Sequence, residues 1–296
     1  AGYRIALNDI YEIMEELRQT GDRALEKSVA YDELKAGVDK ASQLRADLLY
    51  VTGADTEGDI FWMEIPESRK WLKLVGTTLD VGEFLEGFWK EFKRPVVFTS
   101  ATLSYKDNLD YFVKRVGITE CEPETAQFNT HFDMSNTLFL SRPDAPEPMG
   151  HNFLEYLVEQ IVAMHNSFEK NMMVLFTNNS FLKLVFEELE KRFSDKHTPV
   201  FAQGISGNRA WIQQQMKEVS GAILLGGGSF WEGVDIPGDS CEIVVIPKLP
   251  FPVPSHPLAK ALSDKAGEAG RNGFIDYHMP EALLKFKQGT GRLIRH

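Results

Sequence analysis

Cysteine is nearly absent: the 296 residues hold two, Cys121 and Cys241. A pair so far apart excludes a disulfide framework, and without a C-x-x-C spacing there is no thiolate knuckle for zinc or an iron–sulfur cluster. That usage suits a reduced, cytoplasmic setting. Long apolar runs are absent too, and nothing approaches the roughly 18 residues of a membrane span. The first ten residues carry charge too early and lack an apolar stretch, so they do not read as a signal peptide. Positive charge is scarce: 32 Lys and Arg stand against 43 Asp and Glu, a net of −11. A protein that grips nucleic acid with its whole surface is thereby excluded, because neutralising phosphate needs cations. The deficit is uneven, at −14 over residues 1–250 and +3 over residues 251–296, so an anionic ligand is best sought toward the C-terminal end. No repeat and no low-complexity tract occurs.

What is present is ordinary globular material, 43% hydrophobic and 25% charged, with length for about two domains. Residues 3–47 read as long helices, with Ile5, Ile10, Ile13, Met14 and Leu17 near helical spacing. Ile60–Pro66 and Trp71–Leu74 read as two strands joined by a polar turn, and Asp80 as the cap of a helix through Phe84, Phe88 and Trp89. From there strands and helices alternate. Strands are expected at 95–99, 137–140, 172–176, 199–201, 222–225 and 242–246, with helices near 151–169, 180–193 and 208–218. Short strands, apolar on both sides and separated by helices, predict an α/β fold: a parallel sheet covered on both faces. Ligands of such sheets bind beyond the carboxyl ends of the strands.

The strand-end loops are polar. Thr99-Ser100-Ala101-Thr102-Leu103 follows the first strand, Thr177-Asn178-Asn179-Ser180 another, and Gln203-Gly204 the next. Each reads as readily as a helix cap or Ser/Thr turn as it does a cradle for phosphate or sugar oxygens. Gly226-Gly227-Gly228-Ser229-Phe230-Trp231-Glu232-Gly233-Val234-Asp235 follows a further strand. Trp231 occupies the place of the third glycine of G-x-G-x-x-G, so the dinucleotide fingerprint fails. A long loop anchored by two aromatics is the plain alternative. Near the end, Gln288, Arg292 and Arg295 fall at i, i+4 and i+7, one stripe if the helix continues, and two guanidiniums beside an amide suit a phosphate chain. An exposed basic helix end is the plain alternative here. No G-x-x-x-x-G-K-[ST] and no D-E-x-H or D-E-x-D run occurs. These residues cannot cradle β- and γ-phosphates in the manner of a nucleoside triphosphatase; if Arg292 and Arg295 are arginine fingers, the P-loop they serve lies outside these 296 residues. The seven histidines, among them His131, His151, His256 and His278, sit where surface or packing roles suffice.

In order and spacing these segments resemble the C-terminal half of the DinG-type helicases, bacterial relatives of XPD in helicase superfamily 2. Residues 99–103 resemble motif III, 175–179 motif IV with Gln203-Gly204 following, 229–238 motif V and 288–295 motif VI. Lys248-Leu249-Pro250-Phe251-Pro252-Val253-Pro254 resembles the family's segment between motifs V and VI. The likeness covers about residues 58–296. Thr177-Asn178-Asn179 departs from the family's usual Thr-Ser-Tyr, which removes an aromatic there.

The resemblance implies a helical remnant of an arch-type insertion over residues 1–57. It implies the tail of a first helicase lobe over 58–135, and a second RecA-like lobe over 136–296. It further implies an ATP-dependent DNA helicase of repair or replication with 5′–3′ polarity. ATP and Mg²⁺ would be bound mainly by a first lobe of the same parent chain, with no metal site in these residues. Arg292 and Arg295 would be arginine fingers and Gln288 a phosphate contact. Gly233, Asp235 and Glu232, with Ser100 and Thr102, would bind nucleotide and couple its hydrolysis to movement. Thr177, Asn178, Gln203 and Ser229 would hold single-stranded DNA. No membrane partner is expected, and the chain alone should be inactive as an ATPase. Many Gram-positive relatives add an N-terminal exonuclease domain. Two other readings remain: a nucleic-acid-binding adaptor or nuclease-associated module without motor activity, and a nucleotide-sugar transferase, the latter weakened by the lack of a metal-binding D-x-D.

Overall fold

The structure, a computed structural model, describes residues 29–65, 71–92, 94–128, 134–135, 137–148, 150–194, 198–233, 236 and 238–293. The chain divides into two compact units, residues 1–84 and 85–296.

In the first unit, helix α1 (Val29–Gly53) is mostly exposed. Its C-terminal end is tied to a hairpin: Tyr50 donates to Asp59 Oδ2 at 2.5 Å and meets the Phe61 ring edge-on at 5.1 Å. Strands β1 (Asp59–Glu64) and β2 (Lys73–Thr78) pair antiparallel from Asp59 opposite Thr78 to Glu64 opposite Lys73. The second strand starts and ends later than its apolar pattern suggested, because pairing with β1 carries it through Gly76. A Cβ there would lie 2.7 Å from Tyr50 and 2.8 Å from Phe61. Asp80 Oδ1 accepts from Glu83 N at 3.2 Å and opens helix α2 (Val81–Glu91), within which the division between units falls.

The second unit is built on a four-stranded parallel sheet in the order β4-β5-β3-β6, formed by β3 (Met172–Leu175), β4 (Val200–Ala202), β5 (Ile223–Gly226) and β6 (Ile243–Val245). Helices α4 (Phe153–Phe168), α5 (Asn179–Arg192) and α6 (Arg209–Glu218) stand between or before the strands. Earlier in this unit lies the short helix α3 (Asp110–Arg115). Alternation in β3 divides the core. Met172 and Val174 face Leu157, Ile161, Val185 and Leu189, whereas Met173 and Leu175 face Ile212, Met216, Phe230 and Trp231. Both faces are therefore covered, which is why these strands read as continuous apolar runs. This is the architecture of a RecA-like helicase lobe, as expected.

Asn171, buried just before β3, stitches the edge opposite the carboxyl ends. Its amide donates to Met216 O at 3.2 Å and Val219 O at 3.0 Å, and its Oδ1 accepts from Ala222 N at 2.8 Å. Its own carbonyl accepts from Glu242 N and Ile243 N at 3.0 and 3.1 Å.

Two expected strands are not formed. Residues 95–100 and 137–140 belong to no ladder, and Val97 is 85% and Leu138 81% exposed. Their apolar pattern matches that of β3, but no strand among the described residues lies beside either. Phe98 instead packs edge-on against Trp89 and Phe112, at 5.8 and 5.4 Å.

Removing the Asn171 side chain strands two buried backbone groups, Met216 O and Ala222 N, and the half-buried Val219 O. The buried two cost about 1–3 kcal/mol each when unpaired. Asn171→Ala should lower stability by about 2–4 kcal/mol in urea unfolding of the chain. An unchanged midpoint would mean that water replaces the amide.

Candidate functional site

The carboxyl ends of the strands lie level: Phe176 N donates to Gly226 O at 2.7 Å and Gln203 N to Leu225 O at 3.0 Å. The loops that leave this edge are tied to one another. Gln203 Oε1 accepts from Gly227 N at 2.8 Å, and its Nε2 donates to Ser229 Oγ at 3.2 Å. A Cβ on Gly227 would sit 2.6 Å from Asn179 Oδ1, so the missing side chain lets the 177–179 loop close in. Gln203 and Ser229 are thus brought together. Thr177 and Asn178 are exposed on the adjoining strand end, and Asn178 caps α5 by accepting from Phe181 N at 3.0 Å.

Beyond β5 a single helical turn, α7 (Gly228–Trp231), sinks Trp231 completely. Its indole N–H donates to Phe176 O at 2.8 Å, and its carbonyl accepts from Arg292 NH2 at 2.6 Å. Lys285 Nζ stands 5.5 Å from the ring centroid. Gly289 lies against the ring so closely that a Cβ would come within 2.9 Å. Helix α8 (Pro257–Glu268) and a π-turn at Phe274–His278 lead into the helix that carries these groups, α9 (Met279–Thr290).

The expected helical stripe is interrupted. α9 stops at Thr290, and the chain tightens into i→i+3 turns, with Arg292 N on Gly289 O at 3.2 Å and Leu293 N on Thr290 O at 3.1 Å. Gly289 and Gly291 each weaken a helix by about 1 kcal/mol, which accounts for the early end. Gln288 is half-buried in the last turn, whereas Arg292 stands beyond it, 6% exposed. Arg295 lies outside the described residues, as does Asp235. Glu232 is exposed; Gly233, at φ +66°, takes the left-handed backbone that glycine favours, and its carbonyl accepts from Arg209 NH2.

The segment resembling motif III forms a local turn. Thr102 N donates to Ser100 Oγ at 3.2 Å, and the two hydroxyls are 3.2 Å apart. The chain between this turn and the end of α3 is fastened to α9. Lys287 Nζ donates to Ser104 O at 3.0 Å, Tyr111 OH donates to Glu281 Oε1, and Arg115 NH2 lies 3.9 Å from that oxygen. Burial first, then the bond to Glu281, push the Tyr111 phenol far above its usual range, so it remains a neutral donor.

Arg209 and Lys287 escape sequence reading because neither falls inside a motif. Arg209 did carry a signal: a cation in the first turn of α6 opposes the helix dipole. Among the described residues no three His, Cys, Asp or Glu side chains converge on a metal position, and no helix is long and apolar enough to cross a membrane.

Residues 161–296 match the helicase C-terminal domain family. The 3′-5′ exonuclease DinG of Bacillus subtilis is 33% identical over 253 residues, covering 82% of this chain and 27% of that protein. The ATP-dependent DNA helicase YoaA of Escherichia coli is 30% identical over 266 residues, covering 88% and 40%. The ATP-dependent DNA helicase DinG of Photobacterium profundum is 28% identical over 284 residues, covering 94% and 40%. The chain spans about a quarter to two fifths of the length of these curated relatives. The fold and these matches identify residues 161–296 as a helicase C-terminal domain; the chain more broadly is similar to a portion of the DinG and YoaA proteins.

Alanine is the better helix former, by about 1 kcal/mol. At position 289 its methyl would nevertheless meet the Trp231 ring and Leu175, and overpacking costs about 1–3 kcal/mol. Gly289→Ala should therefore destabilise the chain and alter its near-ultraviolet circular dichroism. A gain in stability would show that Trp231 is not held against α9.

Proposed function

We propose that this chain is the second motor lobe of an ATP-dependent DNA helicase, with residues 136–296 as the lobe. Residues 58–135 are the tail of the first lobe and 1–57 the remnant of an insertion. ATP binds where the first lobe of the longer protein meets α9 and the 229–238 loop. Arg292 and Arg295 stabilise charge on the transferring γ-phosphoryl group, a role worth about 10³–10⁵ in rate. Gln288 contacts the same phosphate, and Glu232, Gly233 and Asp235 report nucleotide occupancy to the DNA side. Ser100 and Thr102 couple the turn before α3 to that movement. Thr177, Asn178, Gln203 and Ser229 hold a single strand by its backbone, without reading sequence. The Mg²⁺ that accompanies ATP is assigned, with most of the nucleotide, to the first lobe of the longer protein. The setting is cytoplasmic and the polarity 5′–3′.

The observation that carries this reading is the Trp231 clasp. One residue bonds the strand end beside the DNA loops through its indole and holds the proposed finger Arg292 through its carbonyl. Arg292, buried here, would exchange that carbonyl for a phosphate oxygen on closure. A second reading has one specific support: the Bacillus subtilis relative is named an exonuclease, so the lobe could serve a nuclease as a DNA-binding module.

ATP hydrolysis by the longer protein, with and without single-stranded DNA, separates the two. The motor reading expects DNA-stimulated turnover that Arg292→Ala or Arg295→Ala abolishes while ATP binding persists. It also expects no turnover from the 296-residue chain alone. Wild-type turnover in both variants removes the finger assignment, and no turnover in the intact wild type leaves the nuclease-module reading.

A further inference from the structure

The loop after β4 leads to a group that the proposed phosphate contacts do not use. Trp211 is the third residue of α6, and the parallel topology puts the start of that helix at the carboxyl edge of the sheet. The residue remains 44% exposed, whereas Trp231 in the next loop is fully buried. A lone exposed aromatic needs no explanation. This one is different because its ring is fixed. Phe201 meets it edge-on at 5.7 Å and 88°. Gly207 lies so close that a Cβ would come within 2.8 Å of the six-membered ring. The backbone N–H of Trp211 is tied to Asn208 Oδ1 at 2.9 Å. Such a ring loses little conformational freedom when it is covered.

Its surroundings suit a nucleotide. Two residues before it, Arg209 reaches the Gly233 carbonyl. Gln203, at the start of the same loop, holds Ser229 across the strand end. A rigid, half-exposed Trp side chain, on the helix start that also carries Arg209 and at the end of the loop that begins with Gln203, has the chemistry to cover the face of a base, while neighbouring groups take the backbone. We propose that Trp211 stacks on a nucleobase of the single strand whose backbone passes over Gln203 and Ser229. This rests on the proposed DNA track and adds a base contact to it. Stacking uses the face that every base has, so it tolerates any sequence.

Binding of the 296-residue chain to a fluorescently labelled oligothymidylate, read by anisotropy, tests this without any activity. Stacking of one base is worth about 1–3 kcal/mol, so Trp211→Ala should weaken binding by about 5- to 150-fold. Trp211→Phe should retain most of the affinity. A labelled abasic strand of the same length should bind wild type and Trp211→Ala alike, which separates stacking from lost phosphate contacts. If wild type binds the oligothymidylate and Trp211→Ala binds it equally well, the base contact is wrong and the DNA track stands. If wild type binds neither strand, the DNA-track reading fails and takes the base contact with it.

Discussion

The carboxyl edge of the sheet depends on one buried side chain. The carbonyl of Phe176 stands where β3 ends, and the indole N–H of Trp231 pairs with it at 2.8 Å. An unpaired carbonyl at that depth would cost about 1–3 kcal/mol. The ring itself is fully buried, and at about 150–250 Å² of apolar surface its burial contributes about 4–6 kcal/mol. Glycines make the room: a Cβ on Gly226 would meet Phe230 at 2.6 Å, and one on Gly289 would meet Trp231 at 2.9 Å. The run of glycines before Trp231 and the glycine in α9 are thus two sides of one packing problem. Because Arg292 hangs on the carbonyl of the same residue, the position of α9 and that of its terminal arginine cannot be set independently.

The opposite edge is secured by different chemistry. There Asn171 supplies side-chain and main-chain bonds to the end of α6 and to the starts of β5 and β6. With one edge held by a polar knot and the other by an aromatic plug, the sheet is a rigid base. The loops between strand ends and helices then differ in what they are free to do. The 203–208 and 227–229 loops are bonded to each other through Gln203, while Thr177 stays exposed.

Sequence reading succeeds where burial on both faces leaves no choice. Residues 172–175 and 223–226 are apolar throughout because each successive side chain meets a different helix layer, and no other element of that length suits such a run. Asn178 is legible as part of a cap and accepts from Phe181 N; Asn208, expected as the first residue of its helix, instead caps it by accepting from Trp211 N. Pattern alone fails where structure depends on a neighbour that sequence does not specify. Residues 95–99 and 137–140 carry the same strand pattern as β3, but a strand needs a ladder, and Val97 and Leu138 face open space. It also overruns at the C-terminus, where the spacing of Gln288 and Arg292 suits a helix but Gly289 and Gly291 end it. Motif-bearing loops are visible as runs of small polar residues. Arg209, Lys287 and Trp211 are not, because their significance comes only from what the fold brings beside them.

An overall charge of −11 is compatible with an anionic ligand once the cations are located. Arg209 opens α6, Lys248 follows β6, and Lys285, Lys287 and Arg292 lie on or just after α9. Strand-end loops and the helix that plugs them therefore collect positive charge. Acids concentrate elsewhere: along α5, Glu187 and Glu188 are engaged by Lys183 and Lys191 of the same helix. Exposed pairs of that kind add little stability, typically under about 1 kcal/mol, but they neutralise each other locally. The field at a site follows the nearest unscreened charges rather than the chain total, because at physiological salt it decays over about 8 Å. An acidic protein can thus present a cationic edge to phosphate while the rest of its surface repels nucleic acid.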